Sequence, residues 1–296
     1  NIIAEKITNE LLENNFIEKL DVVGPGFINI FFKDFFWQDQ LKELISNIEK
    51  YKYNSKKKKI CLEFVSANPT GLMHIGHARG AVLGDTIASI LEEVGHTVVR
   101  EYYINDAGEQ IKKLMKTIIF HEENRDNKNY KMEDDLYPSD YLKKISNNIK
   151  KDNKDLYKTP SQLEEKVLKK IIEDIKKDLL KIKVKHDLFI SEKKVSEKRN
   201  IDNLIKRLNE KNLSYFGYQE KPKSINNKEW NKQKQLLFKS EKLGDDRDRA
   251  LLKPNGELTY FMSDIIYHQN KIDRKFDILL NIWGVDHSGY VKRLEN

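Results

Sequence analysis

The sequence predicts an α/β fold built on a parallel sheet, and three observations carry that expectation. Ile60 to Val65 is a short, nearly continuous apolar run of the kind buried on both faces of a sheet, residues 66 to 73 form a polar turn, and residues 74 to 94 follow a helical pattern ended by Gly95. Val98 to Ile104 repeats the strand pattern. Asp106 and Glu109 then have the spacing of a capping box that opens a helix over Gln110 to Phe120. Alternation of strand and helix in this order favours parallel pairing.

The other elements follow from the same patterns. Ahead of the first strand, Ile3, Ile7 and Leu11 share one helical face, and Gly24-Pro25 marks a turn. Residues 26 to 32 read as a short strand, and Leu41, Leu44, Ile45 and Ile48 mark a second amphipathic helix. The basic run Lys56 to Lys59 closes this stretch, so residues 1 to 55 are expected to form the end of a small α+β module and residues 56 to 296 a second domain. Residues 121 to 160 are rich in Asn, Lys and Asp with few apolar anchors, which predicts an exposed insertion. Ser161 and Glu164 have the spacing to cap a long helix carrying Val167, Leu168, Ile171, Ile175 and Leu179. Late in the chain, Glu257 to Phe261 and Phe276 to Trp283 read as strands, the second running into Gly284-Val285-Asp286-His287. Asp245 to Arg249 is expected to be a solvated loop, and His96, His121, His186 and His268 have no partner legible in the sequence.

Composition excludes several classes. With 296 residues, 39% hydrophobic and 34% charged, the chain can bury a real core despite its polar stretches. Gly at 13 and Pro at 6 exclude collagen-like sequence, and the lone Cys61 excludes a disulfide scaffold or a multi-cysteine metal site. No apolar run approaches the roughly 18 residues of a membrane span, and the start lacks a signal pattern, so a cytoplasmic protein with no membrane partner is expected. The net charge of +7 and pI near 9.0 are compatible with a polyanionic partner such as RNA, although a lysine-rich composition raises the pI of many proteins that never meet one. The opening on Asn1 and the stop after Arg293-Leu294-Glu295-Asn296 look like cuts through a longer protein.

The chemistry concentrates in Glu63-Phe-Val-Ser66-Ala-Asn68-Pro-Thr-Gly71-Leu-Met-His74-Ile-Gly76-His77, on a strand-to-helix turn. His74 and His77 are three apart and share a face at a helix start, where the positive end of the helix adds to their donors. Gly76 between them lets a nucleotide approach the backbone. Two placed imidazoles can stabilise charge that builds on an α-phosphate during group transfer, with no covalent intermediate. A half metal site and two ordinary packed histidines remain alternatives for the His-x-x-His spacing alone, and no further cysteine is present to complete a zinc site.

His74-Ile75-Gly76-His77 resembles the HIGH signature of class I aminoacyl-tRNA synthetases. The wider text, with Glu101-Tyr-Tyr-Ile-Asn105-Asp106-Ala-Gly, Val23-Gly-Pro-Gly-Phe-Ile-Asn29, Leu258-Thr-Tyr260-Phe-Met-Ser-Asp264 and Trp283-Gly-Val-Asp-His287-Ser-Gly-Tyr, is similar to the bacterial arginyl-tRNA synthetase family. HIGH alone leaves other class I synthetases and cytidylyltransferases open, whereas the combination is specific. The resemblance implies a Rossmann-type α/β catalytic domain that activates L-arginine with ATP and Mg2+ as substrates and charges tRNA(Arg), with no tightly bound cofactor and no resident metal. It implies His74 and His77 as catalytic residues, and His74, Gly76, His77, Gly284, Asp286 and His287 around ATP. Glu63, Tyr260 and Asp264 would face the arginine side chain, and Ser66 and Asn68 would hold its α-amino and carboxylate end. A planar cation suits paired acidic acceptors, which Glu63 and Asp264 supply. Asp264 as a helix N-terminal acid, Tyr260 as a half-buried strand aromatic, and Asn105 with Asp106 as a capping pair are the structural alternatives. Contact with tRNA or ATP phosphate competes with a solvated linker for Lys56 to Lys59. A monomer is expected. The Lys-rich second signature loop of the family would lie beyond Asn296, and its anticodon-binding domain is not in this sequence, so a fragment is expected, with little charging activity of its own.

Overall fold

The computed structural model describes residues 2–47, 56–127, 130–152, 154–219, 233–285, 291 and 294–295. The chain divides into two compact units, one of residues 1–56 with 93–95 and one of residues 57–92 with 96–296.

The first unit begins with α1 (Ile2–Leu11), continues through β1 (Ile17–Val23) and β2 (Phe27–Phe32), and ends in α2 (Asp34–Ser46). β1 and β2 pair antiparallel around Gly24-Pro25-Gly26, where Gly24 and Gly26 take φ of 57° and 119°, values that residues with a Cβ avoid. β1 is a strand that the sequence pattern did not reveal. Ala4 and Ile17 are buried, whereas Ile3, Ile7, Leu41, Leu44 and Ile45, expected as buried faces, are exposed. Ile48 lies outside the described residues.

The second unit is built on a parallel four-stranded sheet of β3 (Lys59–Glu63), β4 (Thr97–Ile104), β5 (Leu188–Ser191) and β9 (Ile278–Asn281), in spatial order β5-β4-β3-β9. β3 is flanked on both sides, which is why Ile60, Cys61 and Leu62 can all be buried in succession. The chain steps outward from β3 to β4 and β5, then returns to the other side of β3 as β9. The strand order therefore reverses between β3 and β9, and the carboxyl ends of strands at such a reversal are where open α/β sheets hold ligands.

α3 (Ile75–Glu93) buries a stripe of small residues, Ala81, Gly84 and Ala88, so its axis can lie close to the chain beneath it. A Cβ on Gly84 would fall 2.2 Å from Cγ of the fully buried Phe64, which follows directly on β3. Gly84→Ala is therefore expected to destabilise the protein by about 1 to 3 kcal/mol, because overpacking outweighs the ~1 kcal/mol that alanine gains over glycine in a helix. A lowered denaturant midpoint checks this, and an unchanged or raised midpoint would show that Phe64 yields without cost.

α4 (Glu109–Glu123), α5 (Asp140–Asp152) and α6 (Pro160–Lys181) supply the rest of the main core. Here the structure corrects three expectations. Residues 121 to 160 are not simply an exposed insertion, because Leu142, Ile145 and Ile149 belong to the main hydrophobic core and Leu136 is buried as well. Their polar neighbours cover the outer side of one amphipathic helix, and composition averaged over the stretch concealed it. α6 starts two residues earlier than expected, with Thr159 rather than Ser161 in the N-cap position and Pro160 in the first turn, while Leu163, Val167, Ile171, Ile175 and Leu179 form its buried stripe. α4 has no Asp106 cap, since Gly108 at φ 80° precedes it and the Asp106 carboxylate instead accepts hydrogen bonds from Ser191 Oγ (2.6 Å) and Lys193 N (2.9 Å).

Beyond β5 come α7 (Glu192–Val195) and α8 (Lys198–Glu210), followed by an antiparallel sheet of β6 (Ser214–Tyr218), β7 (Lys234–Phe238) and β8 (Arg249–Ala250) in the order β6-β7-β8. They share a second core with α9 (Tyr260–Asp273). Asp245 to Arg249 is no free loop: Arg249 is buried and its guanidinium pairs with Asp245 at 2.8 Å. Glu257 to Phe261 is not a strand. Only Leu258 bridges to Leu252, and Thr259 Oγ1 accepts from Met262 N at 3.2 Å, capping α9 so that Tyr260 and Phe261 are already helical. No helix among the described residues is long and apolar enough to cross a membrane.

Candidate active site

A cavity of about 330 Å³ opens at the reversal of strand order. Glu63, Val65, Ser66 and Asn68 reach it from the end of β3, Tyr103 and Asn105 from the end of β4, Gln110 from the first turn of α4, Tyr260, Asp264, Tyr267 and His268 from α9, and Trp283 and Gly284 from beyond β9. It thus brings together Glu63, Ser66, Asn68, Tyr260, Asp264 and Gly284 among the residues singled out in the sequence. Asp286 and His287 lie outside the described residues. His74, Gly76 and His77 do not line this cavity and stand at the start of α3.

The turn after β3 is held in an unusual backbone conformation. Val65 and Ser66 have φ of 70° and 39°, and Ser66 N donates to Phe64 O at 3.0 Å, closing a γ-turn with positive φ. A β-branched residue there costs about 1 to 3 kcal/mol, so its surroundings must hold it. Ser66 Oγ donates to Glu63 Oε1 (2.9 Å) and accepts from Tyr103 N (3.1 Å), and the buried Tyr102 hydroxyl donates to Ala67 O (2.8 Å). This bracing leaves Asn68 exposed at the cavity.

Beneath the cavity lies a layer of buried charge. Glu63 and Glu101 are register partners on β3 and β4, and each meets a cation, from α9 for Glu63 and from the residue that caps the end of α9 for Glu101. Lys271, wholly buried, donates to Glu63 Oε2 at 2.5 Å and to Asn281 Oδ1 at 2.6 Å. Arg274 grips Glu101 with two nitrogens, at 2.5 and 2.9 Å, and the Tyr267 hydroxyl donates to Glu101 Oε1 at 2.6 Å. His268 also has partners that the sequence could not reveal: its Nδ1 lies 2.8 Å from Asp264 O, its Nε2 3.2 Å from Asn281 Nδ2, and burial lowers its pKa. A neutral ring that donates from Nδ1 and accepts at Nε2 satisfies both contacts. Glu63, expected as an open acceptor, therefore has both carboxylate oxygens engaged within the protein.

Asp264 differs. Its carboxylate makes no hydrogen bond or ion pair among the described residues, and burial, followed by the negative charges of Glu192 and Glu63, pushes its pKa up to about 7. Glu192, buried at the start of α7, was missed in the sequence because only tertiary folding brings it near Asp264; burial raises its pKa as well. Gln110 was missed for the same reason, and its buried Oε1 has no hydrogen-bond partner among the described residues. Tyr260, four residues before Asp264, is exposed at the cavity.

At the start of α3 the two histidine rings stack, with centroids 3.8 Å apart. His77 Nδ1 accepts from His74 N, and His74 Nδ1 accepts from Gly76 N, both at 3.2 Å. Both rings thereby carry their proton on Nε2 when neutral, leaving an N–H donor on each beside the positive end of the helix. Burial and the neighbouring His74 lower the pKa of His77, which keeps it neutral near pH 7.

This sheet, with a His-Ile-Gly-His helix start at its ligand edge, matches the class I tRNA synthetase architecture. Residues 40–293 match the family described as tRNA synthetases class I (R), catalytic domain, and residues 1–32 match the arginyl tRNA synthetase N terminal domain. The chain belongs to the class I (R) tRNA synthetases. Among curated relatives, it is 43% identical to the arginine–tRNA ligase of Pelagibacter ubique (strain HTCC1062) and 41% identical to that of Rickettsia bellii (strain OSU 85-389), in each case over 99% of this chain and 52% of the relative. It spans about half the length of these relatives. A crystal structure assigned to arginyl-tRNA synthetase from Campylobacter jejuni superposes with a TM-score of 0.71 at 29% identity, covering 88% of this chain and 55% of that one. The arginyl-tRNA synthetase of Plasmodium falciparum, at 17% identity and a TM-score of 0.63 over 98% of this chain and 51% of that one, shares the fold.

Proposed function

We propose that the protein is an arginine–tRNA ligase that uses L-arginine, Mg-ATP and tRNA(Arg) as substrates. The observation that carries this reading is the Asp264 carboxylate, desolvated in the cavity wall without a cation of its own among the described residues. A guanidinium offers that carboxylate a charge and two parallel donors, and remains charged at any physiological pH. Tyr260 flanks the same position, while Asn68 and Gln110 are available to the α-amino and carboxylate end and Ser66, its hydroxyl already bonded to Glu63 and Tyr103 N, shapes the turn that presents them. Glu63 acts on arginine through the turn it braces.

In the first step an arginine carboxylate oxygen attacks the α-phosphorus of ATP, the bond to the β-phosphate oxygen breaks, and pyrophosphate leaves with that electron pair. His74 and His77 donate their Nε2–H groups to the phosphate oxygens as charge accumulates, with Gly76 permitting close approach, and the family resemblance assigns Gly284, Asp286 and His287 to ATP as well. In the second step a terminal ribose hydroxyl of tRNA attacks the arginyl carbonyl and AMP leaves. A cytoplasmic site of action agrees with the single, buried Cys61.

The test is ATP–pyrophosphate exchange by the full-length protein that carries this chain, run with and without tRNA and screened across the amino acids. Exchange that depends on arginine is the expected result. Exchange driven by another amino acid, or by none, would overturn the reading.

A further inference from the structure

We propose that Lys271 is a positioning residue of the cavity: by pairing with Glu63 it commits that carboxylate to the Val65–Ser66 turn and leaves Asp264 as the acceptor for the ligand's cation. This rests on reading the cavity as the arginine site.

The geometry leaves Lys271 little else to do. It is 0% exposed, its ammonium reaches Glu63 and Asn281 at 2.5 and 2.6 Å, and it lies 4.3 Å from the centroid of the Tyr267 ring. Asp264, His268 and Lys271 follow one another at four and three residues on α9, so they stand along one face, with the carboxylate nearest the helix start and the ammonium two turns below. Asn281 joins the last two, giving a continuous path from Glu63 through Lys271, Asn281 and His268 to the backbone oxygen of Asp264.

The charge arithmetic gives Lys271 a second effect. The groups facing Asp264 are Glu63 from β3, Tyr103 from β4, Glu192 from α7, and His268 and Lys271 from its own helix. Glu192 and Glu63 oppose ionisation of Asp264, and Lys271 favours it. Without the ammonium, three carboxylates would share a desolvated wall, and protonation of Asp264 would remove the acceptor that a guanidinium needs. With it, Glu63 is neutralised in place and its second oxygen remains on Ser66.

Three variants of the full-length protein test this, read by arginine titration across pH and by melting temperature. Lys271→Met should weaken arginine binding on the order of tenfold at pH 7 and move the midpoint of the pH dependence upward by about one unit, while ATP affinity stays within about twofold. Glu63→Gln should move that midpoint downward. The double variant, with both charges removed, should return the midpoint to the wild-type value. If the midpoint is the same in Lys271→Met and wild type while only the melting temperature falls, Lys271 is structural and the inference fails. A double variant that keeps the Lys271→Met midpoint also overturns it. Should one single variant not fold, the opposite shift of the other and the return in the double still decide. Failure of the wild-type protein to bind arginine at any pH would refute the functional reading instead, which keeps the two claims separable.

Discussion

Asp264→Asn is expected to raise the Michaelis constant for arginine by roughly 30-fold or more and to leave that for ATP within about twofold. The substitution keeps size and polarity and removes the charge, and leaving a desolvated cation short of its carboxylate costs about 2 to 5 kcal/mol. Lysine is rejected because its ammonium cannot make the planar two-pronged contact. With the Asp264 pKa raised to about 7 from 3.8, the empty site holds a proton below neutrality, and a guanidinium must displace it. Arginine affinity should therefore climb with pH by up to about tenfold per unit below 7 and level off above, and Asp264→Asn should flatten that profile. The linkage to folding has the opposite sign. A carboxyl whose folded pKa lies above its unfolded value holds its proton more tightly in the folded state, so its ionisation works against the unliganded fold as pH rises from about 4 through 7. Asp264→Asn should consequently not lower the melting temperature at pH 8. If it does, and the two Michaelis constants rise together, Asp264 is a structural acid and the guanidinium site lies elsewhere.

His77→Ala is expected to slow adenylate formation by roughly 10²-fold with little change in arginine affinity, the pattern of a donor used in the transition state rather than in ground-state binding. The effect should extend beyond a lost donor, because His77 Nδ1 accepts from His74 N and its ring stacks on that of His74. His77→Asn, which can place a donor near the same point, should fall between wild type and alanine. Since the pKa of His77 is lowered, it is neutral through the working range and the step should show no loss of rate between about pH 7 and 8 from its titration. Rate measurements on pre-formed arginine and ATP complexes would check both statements, and unchanged turnover in His77→Ala would refute the assignment.

Local pattern alone determined the strands β3 and β4, the helices α3, α4 and α6, and the parallel character of their sheet, because a strand buried on both faces and a helix buried on one leave signatures within ten or twenty residues. The same holds for the His74-Ile-Gly-His77 helix start, whose chemistry resides in three-residue spacing. Tertiary structure decided what depends on partners distant in sequence. Glu63 and Asp264 looked equivalent as acids, yet Lys271, 208 residues from Glu63, takes up one carboxylate and leaves the other without a cation among the described residues. Asp106 had the spacing of a local cap and is used instead by Ser191 and Lys193 across the sheet edge. The stretch around α5 looked too polar to be core, because composition counts every residue whereas packing asks only about the face that is buried. Charge neutralisation and desolvation act through space, and a linear pattern contains no measure of distance between strands and helices that meet only when the sheet closes.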